Sequence, residues 1–592
     1  MTLLVEADRA LLSGNEAIAR GAWEAGVVVA SAYPGTPSTE TLEAMAAYPE
    51  VDARWATNEK VAVDVALGAS LGGVRALAVM KHVGLNVAAD TFMSATSTGV
   101  GAGLVIMVAD DPGMHSSQNE QDTRFYARFG LVPLLEPSDS AEAKEFTKLA
   151  FEVSERFDTP VLLRSTTRIS HNRGIVELGP RGEVPVRGFQ RNPHKYVMLP
   201  AYARDRHPWV LERLERLTDY AAELAVEEGD DPKVGIVTAG VPYQYVKEVY
   251  PDAHLLKLGM SFPIPIERIR RFADAVERLI VVEELEPFLE EQLRAAGIEV
   301  VGKDLFPRVG ELSPDLVHDG LAKAGILEPR EPGPAPPTTV ARPPLLCAGC
   351  PHMVPYWALK RLGATVTGDI GCYTLAALDP IATMDTCVAM GSSIGMASGL
   401  AASGGSDAPV VATIGDSTFL HGGVPALMEA VYNQANITVV ILDNGTVAMT
   451  GGQEHPGSGT TLKGEETRPV DIPALCRAVG VEDVHVVDPY DVPATMRAFE
   501  EAIAHRGPSV VITYRPCIEA PVRIKDRPYE VVAADCTACQ LCMNLGCPAI
   551  IWTDETFEGR RKVTIDPTLC TGCTLCAQLC PPRAIVPVEV EA

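Results

Sequence analysis

Eight of the chain's 14 cysteines stand in two tandem runs. Cys536, Cys539, Cys542 and Cys547 lie in "DCTACQLCMNLGCPAI", and Cys570, Cys573, Cys576 and Cys580 in "LCTGCTLCAQLCPPRAI". The two stretches are one unit written twice, each closing on Cys-Pro. Thiolates at these spacings can surround a cubane iron–sulfur cluster on a tight loop. C-x2-C is also zinc spacing, but tandem three-cysteine runs that each end in Cys-Pro are rarely zinc sites. The chemistry on offer is one-electron transfer. The other six cysteines lie between Cys347 and Cys517, with none before them. A secreted disulfide framework would not spare so much of a large chain, whereas metal binding explains the clustering.

The second run matches C-x2-C-x2-C-x3-C-P, the two-cluster ferredoxin run in which the fourth cysteine crosses to the other cluster. Cys536, Cys539, Cys542 and Cys580 are therefore expected to hold one [4Fe–4S] cluster. Cys570, Cys573, Cys576 and Cys547 are expected to hold the other. One extra residue before Cys547 lengthens a loop without removing a ligand.

A source for the electrons is suggested by "PVVATIGDSTFLHGGVPALMEAVYNQANITVVILDNGTVAMTGGQ", residues 409–453. "VVATIGD" reads as a buried strand ending in Gly415-Asp416, and "ITVVILDN" as the next, ending in Asp443-Asn444. Between them Val424, Leu427, Met428 and Val431 recur at helical spacing and predict an amphipathic helix. Such a βαβ unit brings both strand ends to one sheet edge, where α/β proteins bind ligands. Asp416 and Asn444 then offer hard oxygen ligands that suit Mg²⁺ beside phosphates. The glycines let backbone N–H groups approach a diphosphate closely.

The elements that must position these groups are legible in outline. With 592 residues, roughly four domains are expected. The 47% hydrophobic and 21% charged content suit ordinary globular domains. A net charge of −27 and pI near 4.9 argue against a nucleic-acid surface. No run of 18 apolar residues and no signal-peptide pattern occurs, so no membrane association and a cytoplasmic location are expected. "GVVVASAYPGTPSTETLEAM" predicts a strand, a turn and a helix with Pro37 at its first position. "RALAVM", "GLVIMVAD" and "PVLLR" are further buried strands of a parallel sheet. A smaller α/β unit includes "KVGIVTAG", "HLLKLG" and "RLIVVEE". "EPREPGPAPPTTVARPP", residues 328–344, reads as an extended linker.

"GDS" and "DN", with 25 residues between them and followed by "TGGQ", resemble the Gly-Asp-Gly…Asn-Asn motif of the thiamine diphosphate fold. Ser417 and Asp443 depart from that pattern. Asp at the first asparagine position is usual in the 2-oxo-acid:ferredoxin oxidoreductases. "MKHVGLNVAADTFM", "ADDPGMHSSQNEQDTR", "CAGCPH", "GDIGCYT" and "MTGGQEHPG" extend the resemblance from Leu11 to about Pro587, to the large-subunit family of the indolepyruvate:ferredoxin oxidoreductases. The fold class it implies is α/β: two thiamine-diphosphate-binding-fold domains plus a smaller transketolase C-terminal-like α/β domain, with a C-terminal two-cluster ferredoxin-like α+β domain. The corresponding ranges are 1–185 for the pyrimidine-binding domain, 230–327 for the transketolase-like domain, 345–520 for the diphosphate- and magnesium-binding domain, and 526–592 for the ferredoxin-like domain.

The same resemblance assigns roles. Asp416, the Asn444 side chain and the Thr446 carbonyl become Mg²⁺ ligands. Thr36, Gly415, Ser417, Gly451 and Gln453 join them in holding thiamine diphosphate. Glu59, in "ATNEKVAVDVALGAS", becomes the acid that protonates the coenzyme's pyrimidine, a half-buried carboxyl between Thr57-Asn58 and the apolar Val61, Ala62 and Val65. His82, His115 and Arg124 are candidates to hold the oxo acid's carboxylate and carbonyl. Cys347, Cys350, Cys372 and Cys517 match the family's cluster nearest the coenzyme, giving a third [4Fe–4S] site. Cys387 and Cys476 match nothing and are expected in the core.

The activity implied is oxidative decarboxylation of indole-3-pyruvate and similar aryl-pyruvates to aryl-acetyl-CoA and CO2. Single electrons leave through the clusters to ferredoxin. A small beta subunit is the implied partner, in an α2β2 assembly. Alternatives are a related oxidoreductase for phenylpyruvate or branched oxo acids, a non-oxidative thiamine decarboxylase, and an electron-transfer subunit without catalysis of its own. A flavin or NAD reductase is disfavoured, because no G-x-G-x-x-G joins a strand to a helix.

Overall fold

The computed structural model describes residues 8–330, 340, 344–520 and 526–589. Most of the Pro-rich segment expected as a linker, 331–339 and 341–343, lies outside the described residues. The chain forms two compact units, Met1–Pro336 and Pro337–Ala592. Among the described residues no helix is long and apolar enough to cross a membrane.

In the first unit, parallel strands Asp52–Trp55, Val29–Ala32, Ala76–Lys81, Leu104–Asp110 and Val161–Thr166 lie side by side in that order. Ala76–Lys81, Leu104–Asp110 and Val161–Thr166 are buried along their whole length. This is why they read as unbroken apolar runs rather than alternating ones. Beyond Val161–Thr166 the sheet continues into Leu134–Leu135, and Met260–Phe262 closes that edge antiparallel. The region expected as a separate 230–327 domain thus lends a strand to the first sheet. It also forms its own four-stranded sheet, ordered Arg278–Val282, Val234–Ala239, His254–Leu258, Ala225–Glu228. One apolar core runs from Phe92 and Ile106 through Phe262 to Val281 and Leu289, so the two sheets are covered together.

Two local expectations change. The helix after the first Gly/Pro turn is Thr39–Ala46, so Pro37 precedes it. Thr39 Oγ1 accepts from Gly35 N at 2.9 Å and Ser38 Oγ donates to Gly35 O at 2.8 Å, closing a turn where the helix was expected to begin. In helix Glu59–Leu71 the buried face is Glu59, Ala62, Val63, Ala66 and Ser70, while Val61 is exposed.

The second unit carries a six-stranded, fully parallel sheet. Its order is Thr386–Cys387, Thr365–Gly368, Val410–Gly415, Thr438–Asp443, Ser509–Tyr514, Asp483–Val487. Val410–Gly415 runs straight into a helical stretch over 416–432, widened by a π-turn at Phe419–Gly423. Such turns are frequent at functional sites. Leu427 and Ala430 face the core, whereas Met428 is exposed, so the expected stripe is narrower than its spacing implied. The cysteine-rich tail pairs Tyr529–Val531 with Ile585–Pro587 and folds a hairpin, Ile550–Phe557 with Arg560–Ile565. Tail residues Leu545 and Leu575 are buried in the same core as Leu346, Met353 and Phe499, so the tail is docked on the sheet domain rather than tethered to it.

Candidate active site and cysteine clusters

Glu59 is the first residue of its helix, capped by Asn58, whose side chain accepts from Val61 N at 3.0 Å. A cap of this kind contributes about 1 kcal/mol. Glu59 is 4% exposed and its carboxyl lies against Gly84. A Cβ at Gly84 would stand 2.7 Å from Glu59 Cγ and Oε1, so only glycine there leaves room for this carboxylate.

Lys81 ends the neighbouring strand and is also buried. Its Nζ donates to Ser116 O at 2.9 Å, and Ser116 Oγ donates to Thr36 O at 3.3 Å. Burial pushes the ammonium down to about 8, against the pull of Asp111 and Glu59. Lys81 thus joins Glu59 and the Thr36 turn in one polar pocket of the first unit. The spacing hid this, because a lysine at a strand end is ordinarily a solvated residue.

The three other substrate candidates are placed differently from one another. His82 is buried and its Nε2 lies 3.2 Å from Asn119 O. His115 is exposed, 3.8 Å from Glu311. Arg124 is buried and fully committed: it holds Asp122 and Glu283, each at 2.6 Å, and donates to Glu284 O at 2.8 Å. Burial opposes its charge, but Asp122 and Glu283 more than offset this and hold the guanidinium well above its ordinary value. A substrate carboxylate would have to displace two carboxylates already in place. Arg124→Met is therefore expected to cost about 3–5 kcal/mol of stability by leaving buried carboxylates unpaired. A lowered thermal midpoint with KM for the oxo acid unchanged is the expected readout.

In the second unit, Asp416 accepts from Ser417 N and Gly445 N, both at 2.8 Å, which ties the first strand end to the second. His455 Nε2 stands 3.1 Å from Asp416 Oδ2, out of line for a hydrogen bond, while its Nδ1 accepts from Gly457 N at 3.2 Å. Burial, and then repulsion from Asp416, push the Asp443 carboxyl up to about 7. A buried and a half-buried carboxylate facing each other are what a divalent cation would neutralise, so the donor set fits Mg²⁺. Asn444 and Gln453 are buried beside them. Asn444 Oδ1 accepts from Thr446 N at 3.3 Å, and Thr446 Oγ1 donates to Gln453 O at 3.1 Å. Gly451 and Gly452 adopt φ of +125° and +91°, which only glycine adopts readily. Gly415 is held from the other side: its N donates to Tyr373 Oη at 2.9 Å, and a Cβ there would strike the Tyr373 ring. Asp443, His455 and Tyr373 are the members of this loop that spacing did not single out for a role.

The loop shares its backbone with a cysteine quartet. Cys517 N donates to Asn444 O at 3.0 Å. Tyr373, which holds Gly415, follows Cys372 directly. His352, two residues after Cys350, is fully buried and pushed down to about 4 by that burial, against the pull of Asp416. Cys347, Cys350, Cys372 and Cys517 lie within electrostatic reach of one another, and burial first, then neighbouring negative groups that include Glu519 and Asp416 as well as the other thiols, push all four up. Of the four only Cys350 is buried, Cys372 and Cys517 being half-buried and Cys347 exposed; thiols that would repel one another as thiolates suit a polynuclear iron site, whose cations remove the conflict. Cys387 and Cys476 pack in the cores, and Cys387 Sγ meets Asp369 O at 3.4 Å.

In the tail, Cys536, Cys539, Cys542 and Cys580 all line one apolar cavity, with Val531, Val563, Leu579 and Ile585 around them. Cys580 thus sits with the first run and not with its own. Cys547 in turn lies with Cys570 and Cys573, and Cys576 with Cys547, Cys570 and Cys573. Burial, with neighbouring thiols, pushes Cys542 up to about 12 and Cys547 up to about 11.

Comparison with known proteins adds three family matches. Residues 369–513 match the thiamine pyrophosphate enzyme C-terminal TPP-binding domain. Residues 20–220 match the thiamine-diphosphate-binding part of pyruvate flavodoxin/ferredoxin oxidoreductase, and residues 563–586 the 4Fe-4S binding domain. The indolepyruvate oxidoreductase subunit IorA of Thermococcus kodakarensis is 45% identical, over 98% of this chain and 97% of its own length. That of Archaeoglobus fulgidus is 43% identical, over 99% and 98%. The 2-oxoglutarate synthase subunit KorA of the same organism is 26% identical over 46% of this chain and 87% of its own.

Proposed function

Because the chain belongs to the indolepyruvate oxidoreductase IorA family of thiamine-dependent 2-oxo-acid:ferredoxin oxidoreductases, we propose that it carries out ferredoxin-linked oxidative decarboxylation of indolepyruvate. Thiamine diphosphate, when bound, supplies the sink for the electron pair freed as CO2 leaves. The chain's own groups do the rest. Glu59 holds a proton at the coenzyme's pyrimidine. Asp416, Asn444 and the Thr446 carbonyl hold Mg²⁺ against the diphosphate, with Thr36, Gly415, Ser417, Gly451 and Gln453 shaping the cradle. Lys81, buried and charged near neutral pH, offers its ammonium to the oxo acid's carboxylate, with His82 and His115 arranging the loop around it. Arg124 acts as a structural tie between lobes of the first unit.

Four cysteines, Cys347, Cys350, Cys372 and Cys517, hold a third [4Fe–4S] cluster in this reading, in addition to the two in the tail. The observation that most supports it is the bond from Cys517 N to Asn444 O, which makes the quartet and the diphosphate loop one structure. A cluster held by these four cysteines would therefore be the iron site next to the diphosphate loop and would supply the one-electron acceptor there. A smaller partner subunit, in an α2β2 assembly, completes coenzyme A binding. Ferredoxin takes the electrons, and reduced thiols and low-potential clusters suit the cytoplasm.

The test is anaerobic reduction of a low-potential dye by a panel of 2-oxo acids, with and without CoA, by the chain together with its partner subunit. Indolepyruvate is expected to be the best donor. Bound thiamine diphosphate and about twelve irons per chain are expected, four per cluster. Material holding zinc, or reducing dye equally without any oxo acid, would sink the reading. Lys81→Met is expected to raise KM for indolepyruvate roughly tenfold to a hundredfold, the worth of one charge-assisted hydrogen bond. In the parent protein KM should climb above pH of about 8, where Lys81 loses its proton and with it the attraction for an anion.

A further inference from the structure

Gly349 sits between Cys347 and Cys350, and its surroundings come from the tail. Its backbone N–H lies close enough to Cys547 to favour that thiolate. Its φ is +77°, which strains any side chain, and a Cβ placed on it would stand 2.4 Å from Thr571 Oγ1, so a side chain here would disturb the packing of this loop against the tail. Its carbonyl accepts from Tyr490 Oη. Tyr490 lies within electrostatic range of both Cys350 and Cys573.

Tyr490 is itself held by several partners, beside a cavity that it lines with Arg515, Thr571 and Cys573. Its N donates to Asp488 Oδ1 at 2.9 Å. The Arg515 guanidinium lies 3.6 Å from its ring centroid and reaches Asp488 at 2.6 Å. Gln578, two residues after Cys576, donates to Tyr490 O at 2.8 Å and accepts from Val492 N at 3.2 Å. The tail is therefore clamped to the sheet domain at the residue that holds the Gly349 carbonyl. By contrast, the cavity of Cys536, Cys539, Cys542 and Cys580 is lined by tail residues alone, and Cys539 is exposed.

Resting on the three-cluster reading above, we propose that Gly349 is the electrical contact between the coenzyme-side cluster and the tail, and that Tyr490 is the positioning residue that keeps this contact closed. From the Cys350 backbone the path to the tail is the Gly349 residue, packed against Thr571, with its N–H on the side of Cys547. One electron at a time leaves the cluster of Cys347, Cys350, Cys372 and Cys517, which is oxidised by one. It enters the cluster of Cys547, Cys570, Cys573 and Cys576, which is reduced by one. The route then continues to the cluster of Cys536, Cys539, Cys542 and Cys580 and out to the acceptor. No bond breaks, no proton moves, and Tyr490 is not oxidised. Two such passages serve each oxo acid.

The N–H on the side of Cys547 also sets a potential, because hydrogen bonds to cluster sulfurs stabilise the reduced state. The experiment uses the complete enzyme with its partner subunit, freeze-quenched after mixing with indolepyruvate and read by electron paramagnetic resonance. In Gly349→Ala the coenzyme-side cluster should become reduced and stay so, while reduction of the tail clusters slows by about tenfold or more, the usual effect of losing an outer-shell partner. Tyr490→Phe deletes one hydroxyl and should fold normally. It should slow the same step and move the inner tail cluster to a more negative midpoint potential. Direct reduction of the tail by dithionite should match the parent in both variants.

If Gly349→Ala fails to fold or loses iron, Tyr490→Phe carries the test alone. Transfer at the parental rate with an unchanged potential in Tyr490→Phe would overturn the proposal. An iron content of about eight per chain in the parent would instead overturn the three-cluster reading beneath it, since only the tail pair would then exist.

Discussion

Glu59→Gln is expected to lower indolepyruvate-dependent dye reduction by about 10²–10⁴-fold, the span associated with losing a positioned general acid. Glutamine keeps the size and the hydrogen-bonding outline of the side chain but has no proton to exchange with the pyrimidine. Glu59 is 4% exposed, so solvent water is poorly placed to substitute for its carboxyl. Bound thiamine diphosphate should remain, because the diphosphate loop lies on other residues. Loss of rate with coenzyme content intact is therefore the informative result. Gly84→Ala offers the same outcome without touching the acid. Its Cβ would fall 2.7 Å from Glu59 Cγ and Oε1, forcing the carboxyl out of place. A Glu59→Gln enzyme that turns over at the parental rate would remove Glu59 from the mechanism.

The second large effect is expected at Asp416. Asp416→Ala removes an ion ligand and at once orphans Gly445 N, which now donates to Asp416 Oδ2 at 2.8 Å. It also leaves Asp443 and His455 without the carboxylate they face. Metal-dependent affinity for the coenzyme should fall by at least about 10–100-fold, the effect seen even for outer-shell partners. In the parent protein, Mg²⁺ and thiamine diphosphate at about a hundred times their dissociation constant should add roughly 2.7 kcal/mol to stability. That shift in thermal midpoint should be absent in Asp416→Ala. A chelator should abolish it in the parent, and added Mg²⁺ should restore it. A variant that still retains coenzyme at the parental level would mean that the ion is held elsewhere.

What could be read from the residues alone was whatever a single turn or a single βαβ unit fixes. The two cysteine runs, the Gly-Asp-Ser and Asp-Asn strand ends, and the buried strands around them are local patterns. Their geometry follows from covalent spacing and strand period, with few alternatives. Cys580 lines one cavity with Cys536, Cys539 and Cys542; spacing alone does not give that grouping, which was expected only from the crossed arrangement of the two-cluster run.

Side-chain type was legible at Lys81 and Arg124 as well, but role was not. Arg124 meets Glu283, far along the chain in another lobe, and that meeting turns a candidate substrate ligand into a buried tie. Lys81 lies buried between Asp111 and Glu59, and only that burial brings its proton loss near neutral pH. The same holds for Gly349: its place between two cysteines is local, whereas Thr571, Tyr490 and Cys547 reach it only when the tail docks. Covalent spacing decided which atoms this chain can present. Packing between distant segments, through burial and charge, decided which of them meet.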